Sequence, residues 1–339
     1  MFIQFRLIFL LEHNMAASLK RKGWKLYTLL SDLKSISLNT RAVPGIAENF
    51  HCRHCSSQKH VGSADYCVNL VRKNDYENFL CCLLLPERLR PAGFAIRAFN
   101  VEIAQVRDVV SDKYRGIMRM QFWKDALDNI FKGNPPHAPV ALELAKVIEK
   151  YKLNKIWFTR LMEARAEQLE ADGFRSVKAV EDYGENTVST VLYLLLQCAG
   201  VKNIHADHVA SHLGRVQGVV TLLRATPYHS SKERVYLPVE LLIKHGVSEE
   251  SVIRGQQEKP LKDLVFDLAS VAHHHLLTAR NMKKDVPKEA IPIFLNSLIC
   301  DQYLKKLQLA DFSIFDKSLQ KKNGLLPWQL FIQKMKRTY

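Results

Sequence analysis

From about Tyr66 onward, apolar residues recur at intervals of three and four, and polar residues fill the positions between them. That spacing lays one apolar stripe along a helix of 3.6 residues per turn, so successive amphipathic helices are predicted. The pattern supports helices over 94–108, 117–131, 141–151, 156–172, 187–198, 205–223, 261–282 and 291–309. Pro86, Pro91, Pro135, Pro136, Pro227, Pro238, Pro260, Pro287 and Pro292 mark expected joints, because proline removes a backbone donor and crowds the preceding turn. Alternating strand patterns are scarce. The densest apolar run, Val191 to Leu196, ends at Gln197 and predicts a buried core helix. It is too short for a bilayer, which takes about 18 or more apolar residues. The stretch from Met118 to Trp123 predicts core packing, with Trp123 between helices. The expected fold class is all-α: a single large helical domain over 61–339, preceded by a leader over 1–60.

Charge changes the picture mainly at the amino terminus. The net charge is +15, and residues 1–60 hold nine Lys/Arg against three Asp/Glu. The remainder is only moderately basic and has no long lysine or arginine block, which argues against nucleic acid as a partner. From Met15 the chain is rich in Lys, Ser and Leu and nearly free of acids before Glu48. Lys20, Arg21, Lys22 and Lys25 interleave with Trp24, Leu26, Leu29 and Leu30, the composition of a mitochondrial transit peptide or of a basic tail. Met1 to Leu11 is mostly apolar but interrupted by Arg6, and Met15 resembles a second start.

Candidate metal and thiol chemistry is sparse. Seven cysteines in 339 residues do not form a disulfide pattern. Cys67, Cys81, Cys82, Cys198 and Cys300 lie among apolar neighbours, where a thiol acts as a small buried hydrophobe. Cys52 and Cys55, flanked by His51, His54 and His60, resemble half of a zinc site, but no second pair follows at zinc spacing. His205, His208 and His212 share one helix face and predict a polar face rather than a metal site. His273, His274 and His275 cannot all point one way on a helix. No G-x-G-x-x-G or P-loop is present, and no metal and no cofactor are expected.

One segment carries a family resemblance. From His212 to Pro238 the chain reads HLGRVQGVVTLLRATPYHSSKERVYLP. It resembles an active-site segment of the squalene/phytoene synthase family, with Gly214, Arg224 and Arg234-Val235-Tyr236-Leu237-Pro238 in register. Upstream, Leu85-Pro86, Phe94, Ala98-Phe99 and Trp123 fit the spacing around the family's first aspartate motif, and Tyr183 to Thr187 matches a helix start. The resemblance extends loosely from Tyr66 to Lys306. It implies two aspartate-rich motifs facing each other across a cavity, holding magnesium ions that bind a substrate diphosphate. Here the first motif's positions read Ala104, Gln105 and Asp108, and the second's read Ala225 and His229. Each motif implies two carboxylates four apart, at 104 and 108 and at 225 and 229; three of these four are absent, so the resemblance implies a fold without its chemistry and no catalytic residue. Arg224 and Arg234 are candidate anion contacts, with a structural salt bridge as the alternative.

A narrower resemblance runs through AFNVEIAQVRD, MRMQFWKDAL, HADHVASHLG, LLRATPYH and RVYLP. These resemble a branch of the family that serves the assembly of mitochondrial complex I and whose synthase motifs are similarly degraded. That branch implies a matrix-side protein, peripheral to the inner membrane, whose partners are complex I assembly intermediates or other assembly factors. Two alternatives stand beside it. One is an active prenyl transferase with an altered ion site around Asp108, Glu102 and His229. The other is a non-catalytic module holding an isoprenoid or lipid ligand in an apolar cavity, unless that cavity has filled with side chains.

Overall fold

The computed structural model describes residues 62–109, 113–171 and 173–339; the side chains of 108, 109, 113 and 170 are also outside the description. The expected leader, with its Cys52 and Cys55 pair, lies outside the described residues. The described chain is helical throughout, with no strand among the described residues. In chain order the helices are α1 (Ser63–Asn74), α2 (Tyr76–Leu84), α3 (Arg90–Ala104), α4 (Val106–Val109), α5 (Lys113–Phe131), α6 (Pro139–Tyr151), α7 (Lys155–Glu170) and α8 (Val177–Gly184). They continue with α9 (Thr190–Ala199), α10 (Ile204–Ser230), α11 (Val239–His245), α12 (Glu249–Ile253), α13 (Lys259–Asn281), α14 (Asn296–Leu309) and α15 (Leu326–Met335).

Local chemistry sets many of the ends. Asn154, Ser176, Asn203 and Ser248 cap α7, α8, α10 and α12, each side-chain oxygen accepting from an orphan backbone N–H of the first turn. Lys152, Gly200 and Gly246 close α6, α9 and α11 in the left-handed conformation. Prolines behave by position. Pro91, Pro139 and Pro260 sit in first turns, where the missing N–H has no partner to lose.

Three expectations need correction. Pro227 was expected to end a helix, yet α10 runs through it to Ser230. Pro227 lies in the last turn and forfeits a single bond, the one to the Leu223 carbonyl. The helix expected over 187–198 is the far end of a longer path, in which α8 passes through a π-helical turn, Glu185–Ser189, into α9. The helix expected over 291–309 begins as a 3₁₀ turn, Ile291–Phe294, with Pro292 in its first turn.

The core gathers around α9 and α10. Residues Val191 to Leu196 are all buried, as expected for that run. Phe99 on α3 is fully buried between Trp123 on α5, 5.4 Å away, and Phe158 on α7, 5.7 Å away, both edge to face. The expected place of Trp123 between helices is observed. Core packing of the whole 118–123 stretch is not: Met120 and Trp123 are buried, while Met118 and Phe122 point outward. Cys67, Cys81, Cys82, Cys198 and Cys300 are buried free thiols. Burial pushes those of Cys67, Cys198 and Cys300 up to about 12.

Candidate functional site

A cavity of about 510 Å³ opens among α3, α4, α7, α8 and α10. Ala104 and Gln105 line it at the end of α3, and Ala225 and His229 line it from the last turns of α10. These four positions, more than 100 residues apart in sequence between the two groups, therefore share one cavity. Asp108 lies on α4 next to this wall, with its side chain outside the description. The cavity has not filled with side chains, but its lining is mixed rather than apolar. Val101, Val180, Val191 and Leu222 alternate with Asn78, Asn100, Gln168 and Gln217 around it.

Its charge is set by arginines. Arg97 projects from α3 and is only 4% exposed. It stands 4.0 Å from Asp75, which sits in the joint between α1 and α2 and accepts from Asn78 Nδ2 at 3.0 Å. Burial pushes the Asp75 carboxyl up, and Arg97 followed by Asn78 opposes that push. Arg107 donates to the carbonyls of Gln168 and Ala171 at 2.9 and 3.1 Å and stacks on the Tyr236 ring at 4.4 Å. Arg165 donates to Tyr183 Oη at 2.5 Å and to Asn100 Oδ1 at 3.3 Å. The partners of Arg107 and Arg165 are thus neutral, and the Nε atoms of Arg97 and Arg165 are buried without an acceptor. His229 meets Tyr236 edge to face at 4.6 Å.

This set does not fit a magnesium ion. Magnesium takes carboxylate and other oxygen ligands in a tight octahedron. Among the described lining side chains Asp75 offers the one carboxylate, and the three guanidiniums that line the cavity repel a dication. No group of three or more His, Cys, Asp or Glu side chains suited to a metal occurs among the described residues. Glu102, proposed above for an altered ion site, accepts instead from Arg119 at 3.0 Å and from Tyr66 at 3.3 Å, away from the cavity.

Arg224 and Arg234 do not line the cavity. Arg224 forms a two-point ion pair with Glu77 at 2.6 and 3.2 Å, the structural salt bridge named as the alternative. Arg234 is exposed. Of the arginines that do face the cavity, Arg107 was readable as a cation beside Asp108 in the first motif, while Arg97 and Arg165 were missed in the sequence. Arg97 had a readable signal, a lone cation inside the apolar run from Phe94 to Phe99.

A second polar cluster was also missed. His275 on α13 presents Nε2 to Glu181 of α8 at 2.5 Å, and its Nδ1 lies 2.8 Å from Nδ1 of His212 on α10. One set of ring tautomers satisfies all three: His275 donates from Nε2 to the Glu181 carboxylate and accepts at Nδ1 from His212. His212 is therefore part of an interhelical staple and not of a polar face. Burial, then the charges of His275 and Arg215, lower its pKa from 6.5 to about 4. Between those values the unfolded chain holds more protons, so stability present above pH 6.5 is lost as the pH falls towards 4. His212 keeps part of its solvent contact, and screening holds the loss to about 1–2 kcal/mol. Urea midpoints measured between neutral and mildly acid pH are expected to fall more steeply for the natural chain than for His212→Gln.

The helical bundle around a two-sided cavity, with both motif regions on its walls, is the architecture of the isoprenoid-condensing enzymes, and the sequence agrees. The squalene/phytoene synthase family matches residues 71–330, so this chain belongs to that family. The fold is shared with a dehydrosqualene synthase (TM-score 0.70, 19% identity, covering 81% of this chain and 95% of that one). It is shared too with the squalene synthase HpnC of Alicyclobacillus acidocaldarius (TM-score 0.66, 17% identity, covering 74% and 94%). More similar in sequence is the human protein named NADH dehydrogenase (ubiquinone) complex I, assembly factor 6. It is 50% identical over 278 residues, 82% of this chain and 84% of that protein. Its Drosophila melanogaster homolog is 41% identical over 282 residues, covering 81% and 84%. A phytoene synthase of Cereibacter sphaeroides is 24% identical over 231 residues, covering 65% and 62%.

Proposed function

We propose that this protein is a mitochondrial complex I assembly factor built on a synthase fold that has lost its chemistry. It would act on the matrix side, peripheral to the inner membrane, on assembly intermediates or with other assembly factors. The observation that carries the loss of chemistry is the wall where the two motif regions meet: alanine, glutamine and histidine stand where metal-binding carboxylates are implied, and arginines surround them. The names of relatives at 50% and 41% identity support the assembly role. No described helix is long and apolar enough to cross a membrane, in keeping with a peripheral placement.

The test is complex I abundance and activity in cells lacking the protein, rescued with the natural chain or with Asp108→Ala. Both are expected to restore complex I equally. Rescue by the natural chain alone, with the variant folded, would return the enzyme reading; no complex I defect would remove the assembly role.

The cavity favours a second reading for the same protein, retention of an isoprenoid or other lipid ligand without turnover. Its volume lies within the 300–1,000 Å³ range of ligand sites, and its guanidiniums lack carboxylate partners save at Asp75. Purified protein given farnesyl diphosphate and magnesium is expected to release no diphosphate, and mass spectrometry is expected to find a bound isoprenoid or lipid. Magnesium-dependent diphosphate release would refute the loss of chemistry, and an empty protein would refute ligand retention.

A further inference from the structure

Helix α15 is amphipathic on two sides. Leu326 and Leu330 are buried and seat it on α2. On the side turned away from the core stand Leu325, Trp328, Ile332 and Met335, which are 60%, 41%, 48% and 66% exposed. Their spacing of three, four and three residues makes a continuous outward stripe. The helix cannot turn this stripe inward, because polar and apolar contacts hold its other face. Gln329 Oε1 accepts from Gln302 and from Asn323 at 2.8 Å each. Beyond the helix, Tyr339 is buried against Phe294 and donates to the Ala279 carbonyl at 3.2 Å.

The charge along this stretch of the chain has one sign. From 317 to 337 the chain carries Lys317, Lys321, Lys322, Lys334, Lys336 and Arg337 and no acid. All but Lys334 are exposed. The chain-wide reading of a moderately basic body hid this local concentration. Large apolar side chains including a tryptophan, rimmed by cations with long aliphatic stems, suit the interfacial layer of a membrane. A protein partner fits less well, since five of the six cations are lysines, a residue depleted at protein interfaces.

We infer that the outer face of α15, with its flanking cations, is a docking surface for an anionic lipid bilayer. The stripe enters the acyl boundary, and the lysines stay among the headgroup phosphates. The inference deepens the peripheral membrane placement proposed above and rests on it, naming the surface that makes the contact.

The test is flotation of the full chain with phosphatidylcholine vesicles, with or without phosphatidylglycerol. Two variants accompany it, Trp328→Ser/Ile332→Ser and Lys321→Glu/Lys322→Glu/Lys336→Glu. All three proteins share residues 1–60, so a difference between them belongs to the α15 face. The natural chain is expected to float with anionic vesicles and not with neutral ones, and to come off as salt is raised. Each variant, melting at an unchanged temperature because the altered residues are exposed, is expected to bind about tenfold more weakly. Flotation undiminished in both variants would overturn the inference and leave the membrane placement to another surface. A natural chain that ignores anionic vesicles would overturn the inference and the placement together, while rescue of complex I still reports on the assembly role. Variants that dissolve a dimer of the natural chain without changing flotation would also overturn it.

Discussion

Gly214→Ala is expected to destabilise the fold by about 3 kcal/mol, lowering the melting midpoint by on the order of 10 °C. The reason is a close helix crossing at glycine positions. A Cβ at 214 would lie 1.9 Å from Ser189 Oγ and 2.7 Å from the Ser189 backbone nitrogen. One turn on, a Cβ at 218 would lie 2.8 Å from Gly184 Cα, and a Cβ at 184 would lie 2.8 Å from the Gly214 carbonyl. Three glycines therefore let α10 touch the α8 and π-turn path backbone to backbone. A hydroxyl could rotate away, but a backbone nitrogen on a buried turn cannot. The double variant Gly214→Ala/Ser189→Gly is expected to recover part of the loss, since it removes the side-chain overlap and leaves the clash with the backbone. Gly324→Ala, where nothing lies within 4 Å, should be neutral. Scanning calorimetry of the four proteins checks this, and a Gly214→Ala protein melting with the natural one would show that the crossing yields.

Gly214 also shows what the sequence could and could not disclose. It was readable as one of the positions in register with the family, but its close approach to residue 189 is a long-range contact that no local pattern reports. The same division runs through the fold. Helical periodicity and proline placement located most of the long helices, because burial of one face is a local repeat. Pro227 misled, because a proline in a last turn looks in sequence like one that ends a helix. Short helices such as α11, α12 and α15 were not anticipated, since seven, five and ten residues leave too few apolar repeats to count.

The candidate site divides along similar lines. Ala104, Gln105, Ala225 and His229 could be singled out from the resemblance, and they do share a cavity. Of the arginines that give the cavity its character, Arg107 stands inside the first motif region, but Arg97 and Arg165 come from α3 and α7 at positions the resemblance did not mark. Arg224, which it did mark, is spent on Glu77. Such pairings are long-range: Arg97 meets Asp75 across a helix joint, and Glu181, His275 and His212 come from three helices. They follow from how helices dock, so a sequence read one element at a time cannot supply them. The two readings of the cavity, metal-based and metal-free, differ by these side chains and not by the backbone they share.

Phe99→Ala is expected to have an effect of similar or greater size, about 3–5 kcal/mol. Phe99 has no solvent exposure, and its ring is the contact through which α3, α5 and α7 meet, with Trp123 on one side and Phe158 on the other. Phe158 in turn touches Phe131 at 6.3 Å, so truncation at 99 leaves a void bordered by rigid rings that close poorly around it. Domains are stable by only about 5–15 kcal/mol, so this loss moves a visible fraction of the protein into the unfolded state in cells. The consequence for function is then one of abundance. Phe99→Ala is expected to restore complex I poorly and to be present at a low steady-state level. Phe99→Leu, which keeps most of the volume and costs about 1–2 kcal/mol, should restore it well. Immunoblotting of the rescued cells separates this from a direct role. A Phe99→Ala protein present at the natural level but unable to restore complex I would place Phe99 in the working surface rather than in the core. A protein that is scarce but active per molecule would place it where the packing does, behind the walls of the cavity and out of reach of any partner.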